Sequence, residues 1–421
     1  MTNNEEKYNK ERLEKVLGDS LYDVDQWCEE LIMMDSSTTL ELQHNRPHEL
    51  LLTPKTRWFN LSLEQANALV HHYQQHVLKH ANKMTNSDEM EIQKLEEQIR
   101  NVWNQEKRFL GKKVFCRLST RSPKDAALFD GSECYRRCKI LLKKKWIASY
   151  LKFKERKGQL TSTQISRDYI LNTETEDFEN YVTNVMSHSE EYLSFMQCSQ
   201  QALAVENERQ VIDVLTNSER VLQDLARALE FPEVFNMKLI LREWYPDITY
   251  EYEFRGFVHN FELIALCQYD NTSLVQELID KKDEIASSIL RYYNTTVKPV
   301  LLCKSKQSTS VISKWNGEVI MDFAILQPSK KIIIIECNPF NNGTGASLFE
   351  VDRNDMKERY DKTRQFEFRV VTQKWYNECS EQAKYLWDSL FANSRKEIIE
   401  EIILEAQAPP QGSFWFSCEL L

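Results

Sequence analysis

The stretch that decides the fold is KKIIIIECNPFNNGTGASLFE, residues 330–350. Four consecutive isoleucines read as a strand buried on both faces. Glu336 follows at once, and two residues later Asn338 precedes Pro339, which restricts its backbone. Upstream, GEVIMDFAIL (317–326) is a second apolar strand, and QPSK (327–330) between the two reads as the bend of an antiparallel hairpin. A bend near Pro328 and Ser329 sets position 322 opposite position 335 or 336. Opposed residues share a face, as do residues two apart on one strand. Asp322, Glu336 and Asn338 are therefore expected to converge. Three hard oxygen donors beside phosphates suit Mg²⁺. The alternative is a surface hairpin with solvated polar ends.

The chain of 421 residues carries a net charge of −10. That balance argues against a general nucleic-acid binder, although a local basic groove remains compatible with it. Nine glycines in 421 residues are roughly 2% against a typical 7%. Neither a Walker nor a dinucleotide glycine motif is present, so a nucleotide site here must be built from side chains and strands. The polar start MTNNEEKYNKERLEK is no signal peptide, and no apolar run approaches the roughly 18 residues of a membrane span. The expectation is a cytoplasmic protein. Its ten cysteines would then be reduced, and the sequons at Asn60, Asn271, Asn294 and Asn342 unused.

Residues 1–112 are expected to be mainly helical. Ser62 and Gln65 form a capping box, and Ile92, Leu95, Ile99 and Val102 mark a second amphipathic helix. KKVFCRL (112–118) is a strand. Ser122, Pro123 and Asp125 then predict a helix start, and Arg117 with this hydroxyl-rich loop forms a candidate anion site. Residues 139–205 read as a helical insertion. MKLILREWYP, YEYEFRGFVHN and ELIALCQYD predict a three-stranded antiparallel meander. It carries Arg242 and Trp244, then Glu253 and Arg255, then Gln268 and Asp270. Its arginines suit phosphate, or alternatively cross-strand ion pairs. The tail beyond 373 is expected to be helical, with Ser394 and Glu397 as a capping box. The order of elements indicates an α+β fold.

Three other groupings carry less. His72, His76 and His80 share a helix face without an acid or cysteine to complete a metal set. Cys134 and Cys138 lack two further zinc ligands at usual spacing. Lys143 to Lys145 read most simply as a solvated helix face.

VFCRLSTRSPKDA, LILREW…EFRGFV…LIALCQYD and VIMDFAIL…IIIIECNPF, in this order, resemble the cell division cycle protein 123 family over about residues 113–138 and 211–372. The resemblance implies an ATP-grasp-like, two-lobed core over 113–372, with a helical N-terminal region (1–112), the insertion 139–205 and a C-terminal extension (373–421). It implies ATP and Mg²⁺ as cofactors. Arg117, Arg242, Trp244, Arg255, Gln268 and Asp270 would bind the nucleotide, and Asp322, Glu336 and Asn338 the metal. It also implies a chaperone that assembles eukaryotic translation initiation factor 2 through the γ subunit. The alternative is an ATP-grasp ligase, kinase or nucleotidyl transferase acting on protein or RNA. Three places depart from the family pattern: Arg117 replaces a lysine that reaches the phosphates, Glu336 replaces an aspartate, and GTGASLFE stands where T-D-S-L-L-F is usual.

Overall fold

The computed structural model describes residues 22–32, 52–79, 84–159, 175–351, 353–378 and 395–404, without the side chains of residues 109, 175 and 354. Nine strands form two sheets among them. Sheet 1 has the order β1-β4-β2-β3, built from β1 (Thr56–Asn60), β2 (Val114–Leu118), β3 (Ala204–Val205) and β4 (Lys238–Glu243). Sheet 2 has the order β8-β7-β5-β6-β9. It comprises β5 (Glu253–His259), β6 (Glu262–Gln268), β7 (Val319–Ile325), β8 (Ile332–Asn338) and β9 (Glu367–Arg369). All pairs are antiparallel except β6 with β9. With its many helices the chain is α+β, as expected.

Sheet 1 is covered on one face by helices. Val114, Cys116 and Leu118 of β2 and Leu239 and Leu241 of β4 enter one apolar cluster with α2 (Leu63–His76), α3 (Asn86–Gln105), α4 (Glu133–Arg156), α5 (His188–Ala202) and α7 (Glu219–Leu229), which follows α6 (Glu208–Thr216). The alternate residues Trp58 and Ile240 face the other way. They join the cluster of α1 (Val24–Ile32) and one face of sheet 2, which holds Phe254, Leu266, Met321, Phe323, Ile334 and Cys337. The two sheets thus share one core.

The expected capping box of Ser62 and Gln65 starts α2, and Leu95 and Ile99 are buried on α3. Three expectations are corrected. Residues 56–60 are a strand inside the region read as helical. TRWFN is too short to carry a clear period, and its pairing with β4 decides its state. The meander is split: β4 belongs to sheet 1, while β5 and β6 form a hairpin in sheet 2. The chain leaves sheet 1 after Glu243, and Pro246 and a 3₁₀ turn at Tyr250–Tyr252 redirect it. No α-helix starts at Ser122. A 3₁₀ turn spans Ala126–Leu128, and the long helix begins at Glu133 with Ser132 as its N-cap. Asp125 instead accepts hydrogen bonds from Ser218 Oγ and Arg220 N at the start of α7.

Lys139 and Lys143 are not part of a solvated face. They pair with Glu397 and Glu401 of the helix over 395–404, whose Ile398, Ile399 and Ile402 are buried. Ser394, His80 and the final SFWFSCELL lie outside the described residues.

One glycine is needed for close packing. A Cβ at Gly256 on β5 would lie 2.7 Å from the ring of Phe323 and 2.9 Å from Leu263 Cδ1. Both neighbours are buried. Gly256→Ala should therefore destabilise the fold by about 1–3 kcal/mol through overpacking. A urea midpoint unchanged from the native chain would contradict this packing.

Candidate functional site

The hairpin forms as read from the sequence, with Asp322 directly opposite Glu336. The register slips between Asp322 and Phe323, because Phe323 pairs with Ile334 and leaves Ile335 as an extra residue on β8. This bulge aims the site. Ile332 and Ile334 point into the shared apolar core, and regular alternation would send Glu336 after them. With one residue inserted, Cys337 takes the core side, and Glu336 and Asn338 fall on the face of Asp322. Asn338 pairs with Ile320, which is on that same face, and its Nδ2 lies 3.4 Å from Asp322 Oδ2. The expected convergence of Asp322, Glu336 and Asn338 is present.

Cations surround the carboxylates. Arg255 lies opposite Asp322 on β5, and its Nε and Nη2 fork onto the two carboxylate oxygens at 2.8 Å each. Its Nη1 donates to Gly345 O in the loop after Asn338. Arg117 reaches from sheet 1, 219 positions away in the chain, to place Nη1 2.6 Å from Glu336 Oε1. It can do so because β8 is the edge strand of sheet 2. Arg117 and Glu336, both read from the sequence as departures from the family pattern, are partners.

Burial raises the Asp322 carboxyl against the pull of Arg255. Burial opposes the charge on Glu336 as well, but Arg117 and then Lys124 overcome it and hold that carboxyl down at about 2. Arg255 is raised: desolvation opposes its charge, and Asp322 outweighs desolvation. Glu253, on the same face, is pushed up to about 7 by burial, against the pull of Lys124, with Asp322 and Glu336 adding to the rise.

The other expected nucleotide residues are placed differently. Arg242 shares a sheet face with Arg117, and its donors go to Thr53 Oγ1, Thr56 Oγ1 and Ile335 O. It is lowered to about 10 by burial and by Arg117. Trp244 lies one residue beyond the end of β4, partly buried, with its amide donating to Lys113 O. Gln268 is not brought to the carboxylate face. It pairs with Phe254, whose side is the apolar one, donates to Ser273 O and accepts from Val371 N. Asp270 accepts from the amide and hydroxyl of Thr272, closing the turn that follows β6.

Two residues were missed. Lys124 donates to Tyr269 Oη at 2.8 Å, so a residue after β2 touches one after β6. Gln200 of α5 donates to Glu253 Oε1. The basic Lys124 stood in the quoted CRLSTRSPKDA loop, where the reading of Ser122 and Asp125 as helix caps drew attention away from it. Gln200 carried no signal, since only the packing of α5 brings it to β5.

The donor set fits a hard divalent cation. Two carboxylates and an amide side chain from adjacent strands share one face; Glu336 binds Arg117 through one of its oxygens, while both oxygens of Asp322 accept from Arg255. Among the described residues no group of three or more His, Cys, Asp or Glu is arranged to hold a metal, so Asn338 is needed to complete the set.

The D123 family model matches residues 193–388. The chain is 30% identical over 152 residues to a Translation initiation factor eIF2 assembly protein of Candida albicans, covering 36% of this chain and 40% of that one. It is 30% identical over 154 residues to a CDC123-like protein of Acanthamoeba polyphaga mimivirus, covering 36% and 44%. The matched part is thus less than half the length of these relatives. Cdc123 from Schizosaccharomyces pombe is a similar solved structure, with a TM-score of 0.45 and 17% identity over 85% of this chain and 98% of that one. The relation to the cell division cycle protein 123 family expected from the sequence is borne out.

The folded-state pKa of Glu336 lies below its unfolded value of about 4.3. The stability it contributes is therefore fully present above that value and is lost as pH falls towards 2. Arg117→Met should cost about 3 kcal/mol at neutral pH by leaving Glu336 unpaired. The gap between native and variant urea midpoints should shrink on acidification through that window. A gap independent of pH would show that the pair does not set the Glu336 charge.

Proposed function

We propose that this divergent relative of the cell division cycle protein 123 family binds ATP with Mg²⁺ where the two sheets meet, and acts as an assembly factor for translation initiation factor 2 through its γ subunit. The observation that carries the nucleotide reading is the convergence of Asp322, Glu336 and Asn338 on one face, beside arginines from both sheets. The partner reading is supported by the name of the Candida albicans relative.

In this reading Asp322, Glu336 and Asn338 would hold the metal through oxygen, and Mg²⁺ would shield the charge of the phosphates. Arg117 sits where its guanidinium can pass from Glu336 to a phosphate oxygen. Arg255 is forked onto Asp322, so it orients that carboxylate and restrains its charge. Arg242, turned onto Thr53, Thr56 and Ile335 O, secures the base of β8 and supports the site from behind. Because Arg117 and Glu336 come from different sheets, a nucleotide held there bears on the relative placement of the two sheets. A chaperone surface that spans both would respond to it.

The test is calorimetric titration of ATP into the purified chain, with Mg²⁺ and then with EDTA. Asn338→Ala is the variant of choice, since Asn338 is partly exposed and bears no charge. Asp322→Ala would instead strand Arg255 as an unpaired buried cation and destabilise the fold. Asn338→Ala should lower Mg²⁺-dependent affinity at least about tenfold, a loss of about 1.4 kcal/mol. Equal affinity in both proteins would refute the metal assignment. Capture of the isolated γ subunit, strengthened by Mg·ATP, is expected from the partner reading, whereas sustained release of ADP or AMP would favour the enzyme.

A further inference from the structure

The arginines at the junction are already committed within the protein. Arg117 gives Nη1 to Glu336 and Nε to Leu118 O. Arg242 is turned onto Thr53, Thr56 and Ile335 O, and Arg255 onto Asp322 and Gly345 O. Lys124 differs from all three. It is solvent-exposed, and it donates to the phenol oxygen of Tyr269. An ammonium has three donors and the phenol takes one.

Its position is set by its surroundings. Ser122 and Pro123 are buried before it, and Asp125 after it is tied to Ser218 and Arg220. Lys124 is therefore presented by a fixed loop. Its Nζ lies 4.4 Å from the centroid of the Tyr269 ring, and the guanidinium carbon of Arg255 lies 4.8 Å from the same centroid. One aromatic ring thus gathers the lysine of one sheet's loop and the arginine of the other sheet. Crowding by protein atoms opposes the ammonium charge, but Tyr269, Glu253 and Glu336 outweigh it and keep Lys124 protonated.

We propose that Lys124 is a phosphate-binding residue of this chain, donating to the phosphate oxygens of a ligand held beside Asp322, Glu336 and Asn338. It supplies a mobile ammonium in addition to the guanidinium of Arg117, which lies on Glu336 in the free chain. This rests on the nucleotide reading above. A phosphate oxygen displaces the phenol because a bond between two charged groups is roughly twice as strong as one to a neutral partner. Tyr269 holds the side chain near its working position, which lowers the entropy lost on binding.

The experiment titrates Mg·ATP, inorganic tripolyphosphate and adenosine into the native chain, Lys124→Gln and Lys124→Arg. Lys124→Gln should weaken both phosphate probes at least tenfold and leave any adenosine affinity unchanged, and Lys124→Arg should recover most of the loss. Lys124→Arg keeps the charge that faces Glu253 and Glu336, so its thermal midpoint should match that of the native chain. A structural role alone would not separate the phosphate probes from adenosine. If the native chain binds Mg·ATP and Lys124→Gln binds it equally well, the proposal is overturned while the site stands. If the native chain binds neither phosphate probe, the nucleotide reading fails and the proposal falls with it.

Discussion

The extra residue at Ile335 is the constraint on which the site depends. A strand of four isoleucines must bury both faces, and period-two alternation would carry Glu336 into the same dry cluster as Ile332 and Ile334. An unpaired carboxylate there would cost several kcal/mol or lose its charge. The bulge lets β8 remain apolar to its last turn and still deliver two polar residues to the other face. It also places them at a sheet edge, where groups from sheet 1 can reach them. Core and site are thus compatible because the register shifts by one residue at the boundary between them.

Charge compensation then divides the work between the sheets. Arg255 answers Asp322 from within sheet 2, and this bidentate pair is almost fully buried. It is a rigid element, because separating it would leave two uncompensated charges. Arg117 answers Glu336 from sheet 1. Relative to the family pattern, both side chains of this second pair differ, and the two differences meet at 2.6 Å. A planar guanidinium fork suits a carboxylate better than an ammonium does, and the longer glutamate extends towards it. The pair ties the two sheets together.

The hairpin was legible because its information is local. Apolar runs, a Pro-containing bend and period two suffice to pair Asp322 with its partner, and only the choice between positions 335 and 336 required the structure. The capping box at Ser62 and the face of α3 were legible for the same reason. What was not legible depends on distant partners. β1 is five residues whose strand state comes from β4, nearly 180 positions away. β4 looks like the first strand of a meander, since nothing in LILREW reveals that its neighbours are β1 and β2. Gln268 shared a quoted motif with Asp270, yet pairing with Phe254 turns it to the opposite side from Arg255.

The segment 139–205 walls the junction on one side through its described helices. Its helix α5 donates Gln200 to Glu253 and Gln197 to Glu251 at the start of β5. On its other side it holds the helix over 395–404, through Glu191 with Arg395 and through the lysines of α4 with Glu397 and Glu401. Helix α5 and the helix over 395–404 are therefore packed together, and α5 touches a carboxylate near Lys124. Glu253 has its acidity set by burial and by the charges of Lys124, Asp322 and Glu336. Gln200 of α5 thus fixes the orientation of a group inside the charged cluster. The chemistry at the junction follows from how the helical lobe packs against sheet 2, as well as from the strands that carry the motifs.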